Sequence, residues 1–114
     1  MKRLIAGLLC LFLSAGSVIA AERIPTPVHS KIAVAASSTL VLPATRIIRS
    51  LLVLINDSDT TIYCNLTGAA AVANEGIRLN ANGGSILLDV SVTSSAVYCI
   101  HGGSGDKTLL VTEG

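Results

Sequence analysis

From Lys31 onward the chain is a succession of short runs rich in Val, Ile, Leu and Thr, broken by Gly, Asn, Asp or Ser. The breaks come about every eight to twelve residues, a spacing that suits strands turning back on one another in a sandwich or barrel. No window of helical length keeps a clean 3.6-residue period, although residues 69–73 have the composition for a single helical turn. Strands are expected at about 31–36, 38–42, 47–55, 60–66, 77–79, 85–90, 96–101 and 108–112. They imply an all-β fold, a small antiparallel β-sandwich of about seven strands occupying residues 31–114.

Three connections read as hairpins. Asn56-Asp57-Ser58-Asp59 is a run of side chains that bond their own backbone, Asn80-Ala81-Asn82-Gly83-Gly84 offers residues tolerant of positive φ, and Gly102-Gly103-Ser104-Gly105-Asp106 does the same. Leu51-Leu52-Val53-Leu54-Ile55 is apolar at every position, which predicts a central strand covered on both faces. Residues 60–66 instead alternate, with Ile62, Cys64 and Leu66 on a core side and Thr61, Tyr63 and Asn65 on a wetter one. Ile62-Tyr63-Cys64 is echoed by Val97-Tyr98-Cys99, as matching hairpins of one sandwich would be.

Ahead of this region stands a segment of another kind. Lys2 and Arg3 precede an apolar run over residues 4–13, and small residues follow from Ser14, the three parts of a secretory signal peptide in order. Val18 and Ala20 suit the −3 and −1 positions of a signal peptidase, so cleavage is expected between Ala20 and Ala21, with the Ala21–Glu22 bond as second choice. The apolar run falls well short of the roughly 20 residues of a membrane-spanning helix. Cys10 lies inside that run behind Gly7, Leu8 and Leu9, which lack the small residue a lipid-anchor site has immediately before its cysteine. Residues 1–20 are therefore read as a signal peptide and 21–30 as an extended arm, since Pro25 and Pro27 forbid helix just before them. The expected location is exported: periplasmic, secreted or on an extracellular particle.

Removing residues 1–20 from the 114 leaves 94, near the lower end for a self-sufficient core. A cross-link or neighbouring subunits would help such a domain. Cys64 and Cys99, each following a tyrosine, are the natural disulfide in an oxidising compartment.

Catalysis finds little to work with. Asp57 and Asp59 are the one closely spaced acidic pair, and their turn accounts for them. No serine lies in a G-x-S-x-G elbow. His29 falls in the arm, and His101, beside Cys99, reads as a surface residue at a strand end. Neither has the paired spacing of a zinc site. The glycine-rich run at 102–107 lacks the glycine-lysine pair of a phosphate loop. Asn56-Asp57-Ser58 and Asn65-Leu66-Thr67 are sequons that a bacterial-type export route would leave as chance. The expectation is a non-enzyme with no cofactor and no metal.

After the signal, Arg23, Lys31, Arg46, Arg49, Arg78 and Lys107 face Glu22, Asp57, Asp59, Glu75, Asp89, Asp106 and Glu113, a balance of −1. Nucleic acid and anionic membranes call for clustered positive charge, so neither is an expected partner. Tyr63 and Tyr98 are the only rings left, too few for a sugar platform or a base-stacking surface. With 13% charged residues the strand edges are poorly guarded, and bare edges pair with other chains. Self-association, or docking on a larger protein assembly through an edge strand or apolar face, is the expected role. The alternative is a secreted or periplasmic module that recognises a protein or small ligand through loops at 56–59, 67–76 and 102–107.

Across residues 46–113 the pattern Arg49-Ser50-Leu51, Ile55-Asn56 with Asp57-Ser58, Ile62-Tyr63, Gly76-Ile77, Leu79 before Gly83-Gly84-Ser85, Ala96-Val97-Tyr98 and the closing Leu109-Leu110-Val111-Thr112-Glu113 resembles small bacteriophage virion proteins. That resemblance implies a non-enzymatic capsid, decoration or tail-associated component, a compact β-sandwich that joins a symmetric assembly. The signal peptide and the cysteine pair depart from that pattern.

Overall fold

A computed structural model describes residues 26–46 and 48–114. The expected signal peptide, its cleavage point at Ala20 and Ala21, and residues 21–25 of the arm lie outside the described residues. The rest is all-β, with eight strands rather than about seven: β1 (Val28–Val34), β2 (Thr39–Leu42), β3 (Leu52–Asn56), β4 (Ile62–Asn65), β5 (Ile77–Leu79), β6 (Ser85–Leu88), β7 (Val97–His101) and β8 (Lys107–Glu113). β1 starts at Val28, so the last three residues expected in the arm already pair with Val111, Thr112 and Glu113. Residues 69–73 form no helical turn.

The strands make two antiparallel four-stranded sheets, β1-β8-β3-β6 and β2-β7-β4-β5. The first strand pairs with the last, the second with the seventh, the third with the sixth and the fourth with the fifth. The chain is thus one long antiparallel ribbon, closed at the β4–β5 connection and rolled up so that β3 also meets β8 and β4 meets β7. Eight strands rolled in this order are a jelly roll.

The three connections expected as hairpins are corrected by this order. β3 to β4, β5 to β6 and β7 to β8 each step from one sheet to the other. Each link is five residues long, enough to cross the roughly 10 Å between packed sheets instead of the 4.8 Å between paired strands. Turn chemistry reverses the chain without choosing between those two outcomes. The expected tolerance of positive φ is realised, with φ of 61° at Asn82 and 103° at Gly83. At Gly84 a side chain would collide with the backbone of Asn80.

Alternation sorts side chains to a common interior. Val34, Leu52, Leu54, Leu109 and Val111 from the first sheet meet Leu42, Ile62, Leu79 and Val97 from the second, all buried. Each fully buried Leu, Ile or Val contributes about 1.5–3 kcal/mol. Cys64 and Cys99 sit directly opposite each other on β4 and β7, 4.1 Å apart at Cα, and form a buried disulfide within the second sheet. The two echoed tripeptides are therefore neighbouring strands. With a sequence separation of 35 between the cysteines, the cross-link is worth about 3–4 kcal/mol on the chain-entropy account.

At one end of the roll, short connections at 35–38, 57–61, 80–84 and 102–106 lie together. At the other, the longer segments 43–51, 66–76 and 89–96 gather with the C-terminus. Of the strand expected over 47–55, residue 47 lies outside the described residues and β3 begins at Leu52; ahead of it Arg49 is buried. The Arg49 side chain is 1% exposed and donates to the carbonyls of Pro43, Thr93 and Ser95 and to the Glu113 carboxylate at 2.8 Å.

Candidate assembly surface

β3 occupies the expected interior position in its sheet, but only one of its faces is fully covered. Leu52, Leu54 and Asn56 point into the core, while Val53 and Ile55 on the other face are half-buried. The register continues that outer face across the sheet in two rows: His29, Thr112, Val53, Leu87 and then Lys31, Leu110, Ile55, Ser85. The β1 side of this surface is polar, with His29 Nδ1 2.7 Å from Thr112 Oγ1. The β6 side is apolar, and Leu87 is 60% exposed at its border. A strand that is apolar at every position needs cover on both sides, and the fold itself supplies it on one.

Each sheet has two edges, and three of the four are guarded. β1 carries Lys31 at its middle, β5 is three residues long and contains Arg78, and β2 has a register shift between Leu40 and Leu42 and is followed by Pro43. Charges, bulges, prolines and short length are the usual protections of an edge. β6, Ser85-Ile86-Leu87-Leu88, has no charge, proline or bulge, and among the described residues no strand pairs on its outer side. The absence of charge in 85–88 was visible in the sequence; that this segment forms an edge was not.

The polar residues singled out from sequence are placed in structural bonds. His101, expected at the surface, is 1% exposed. Gly103 N–H donates to its Nδ1 at 3.0 Å, so Nε2 carries the proton and donates to the Gly105 carbonyl at 2.6 Å. A Cβ at Gly103 would crowd Thr60 at 3.2 Å and lie 3.6 Å from the ring Nδ1. Asp59 accepts from Lys107 Nζ at 2.9 Å, and this hydrogen bond, helped by the Thr60 hydroxyl and the lysine charge, holds its carboxyl below the usual value.

Asn56 of the first sequon is wholly buried. Its Nδ2 donates to the Thr60 and Leu79 carbonyls and its Oδ1 accepts from Ser58. Asn65 of the second accepts from Thr67 N–H and hydroxyl. In the 67–76 loop most residues are exposed, as expected, but Ala71 is buried and its N–H donates to Ser38. Among the described residues no group of three or more His, Cys, Asp or Glu is placed to hold a metal ion, and no helix is long and apolar enough to cross a membrane. The buried disulfide is compatible with an oxidising compartment.

The chain matches no protein-family model, and comparisons with curated proteins and with solved structures give no significant match.

Proposed function

We propose that the protein is a non-enzymatic, exported structural subunit that joins a larger protein assembly through the β6 edge and the adjoining outer face of the first sheet. One observation carries this reading: the least protected of the four described sheet edges borders exposed apolar surface on the outer face, at Leu87 and Val53. A monomer would leave both in water, whereas an assembly satisfies the edge and covers the face together. The signal-like leader and the oxidised cysteine pair support export. The resemblance of residues 46–113 to small phage virion proteins supports a particle component, and the jelly-roll order, shared by capsid and lectin domains, adds a fold-level analogy.

Size-exclusion chromatography with light scattering on the processed protein tests the reading. The expected result is a mass of two or more protomers at tens of micromolar. A clean monomer at that concentration overturns it.

A further inference from the structure

The open side of β6 has a definite hydrogen-bonding pattern. Asn56 N–H donates to the Gly84 carbonyl at 2.8 Å, so that carbonyl points toward β3. In a trans peptide the following N–H points the opposite way, which turns the Ser85 N–H out of the sheet. Alternation along the strand then turns the Ser85 carbonyl and both backbone groups of Leu87 outward as well. Four backbone groups on one short strand thus face away from the sheet, and no strand among the described residues pairs with them.

Resting on the assembly reading above, we infer that the partner at this edge is a second copy of the chain, with β6 pairing antiparallel to β6 about a two-fold axis at Ile86. In that register Ser85 of each copy exchanges two hydrogen bonds with Leu87 of the other, so all eight outward groups are satisfied. Asp89 falls opposite Gly83, so no like charges meet, and β6 contributes none of its own. Lys31 on β1 and Arg78 on β5 make those edges poor partners for themselves. The two sheets would join into one of eight strands. On its outer face Val53 and Leu87 of one copy would run on into Ser85 and Ile55 of the other, and the two half-buried Ile86 side chains would meet on the inner one.

The register predicts a specific cross-link. Ile86 faces its own counterpart at a non-hydrogen-bonded position, where Cα atoms are about 4.5 Å apart and a disulfide fits. The oxidised Ile86→Cys protein should therefore run as a covalent dimer without reductant, and Leu87→Cys should not. Ser85→Pro removes one outward N–H per copy at the first residue of an edge strand, where proline is tolerated. Losing those two hydrogen bonds should weaken the dimer roughly thirtyfold by light scattering. Leu87→Lys should dissociate it too, while Leu110→Lys, two strands away, should not. Circular dichroism and intact mass confirm that each variant keeps its sheet and its native disulfide. Cross-linking at Leu87→Cys alone overturns the two-fold at Ile86. Dissociation by Leu110→Lys but not by Ser85→Pro overturns edge pairing and leaves assembly through the face standing. A monomeric unmodified protein overturns both readings.

Discussion

The two ends of the roll are held in different ways. At the short-connection end, order grows from bonds between residues close in sequence: Asn56 to Thr60, Ser58 to Asn56, and Gly103 and Gly105 around His101. Asn56 extends this outward, donating to the Leu79 carbonyl and exchanging backbone bonds with Gly83 and Gly84. At the opposite end a single side chain, Arg49, gathers segments distant in sequence: the carbonyl of Pro43 ahead of it, those of Thr93 and Ser95 in the 89–96 link, and Glu113 near the C-terminus. The Gly114 carbonyl is held there too, by the N–H groups of Ser50 and Leu51. One end is bonded largely within its own turns, whereas the other gathers four distant groups on one guanidinium, beside the backbone bond from Thr45 to Ser94 and the Thr93 hydroxyl on the Leu66 carbonyl.

Arg49→Ala gives the largest expected effect. It strands a partly buried Glu113 and three carbonyls, and should cost about 3–5 kcal/mol by urea denaturation. Arg49→Lys keeps the charge opposite Glu113 but loses the planar fork, and should recover only about half of that. Next comes the paired Cys64→Ala and Cys99→Ala variant, at about 3–4 kcal/mol. Because the disulfide lies between the ends, it should lower both equally, as hydrogen exchange would show. Asn56→Ala should cost about 2–3 kcal/mol, with faster exchange concentrated at the Gly83 amide and its neighbours. If Asn56→Ala costs more than Arg49→Ala, the contrast between the ends is reversed.

The smallest effect belongs to Asp59→Asn. The folded-state carboxyl is held below its usual value of 3.8 by the hydrogen bond from Lys107, so its contribution is present at neutral pH. That contribution fades only as the pH falls below 3.8 through the lowered folded-state value. The difference between Asp59→Asn and the unmodified protein should therefore shrink in urea titrations across that acid range. A difference that grew toward acid pH would place the stabilisation elsewhere.

The short-connection end was the legible one. Asn56-Asp57-Ser58-Asp59 and the Asn80–Gly84 run announce chain reversals through side chains and φ preferences that act within a few residues. The same information could not say that these reversals cross between sheets, since a strand is equally half-buried in a hairpin or across a core. His101 was misplaced for a related reason: a histidine at a strand end reads as solvated until the glycine turn that fills both its nitrogens is folded over it. Arg49 was read as a charge and as the lead of Arg49-Ser50-Leu51, and nothing near it in sequence names its partners in the 89–96 link and at Glu113. The candidate surface was half legible, because the uniformly apolar 51–55 run promised more cover than one sheet could give.

Strand content and the alternation that makes a core were determined by the chain's own order of residues, because each depends on periodicity, and the Cys64–Cys99 pair was legible from the matching Tyr-Cys positions of two strands. Tertiary structure alone decided which strands became neighbours, which four became edges, and which edge was left uncharged and, among the described residues, unpaired. Those outcomes depend on how the ribbon rolls, which is set by side chains meeting across the core from segments far apart along the backbone.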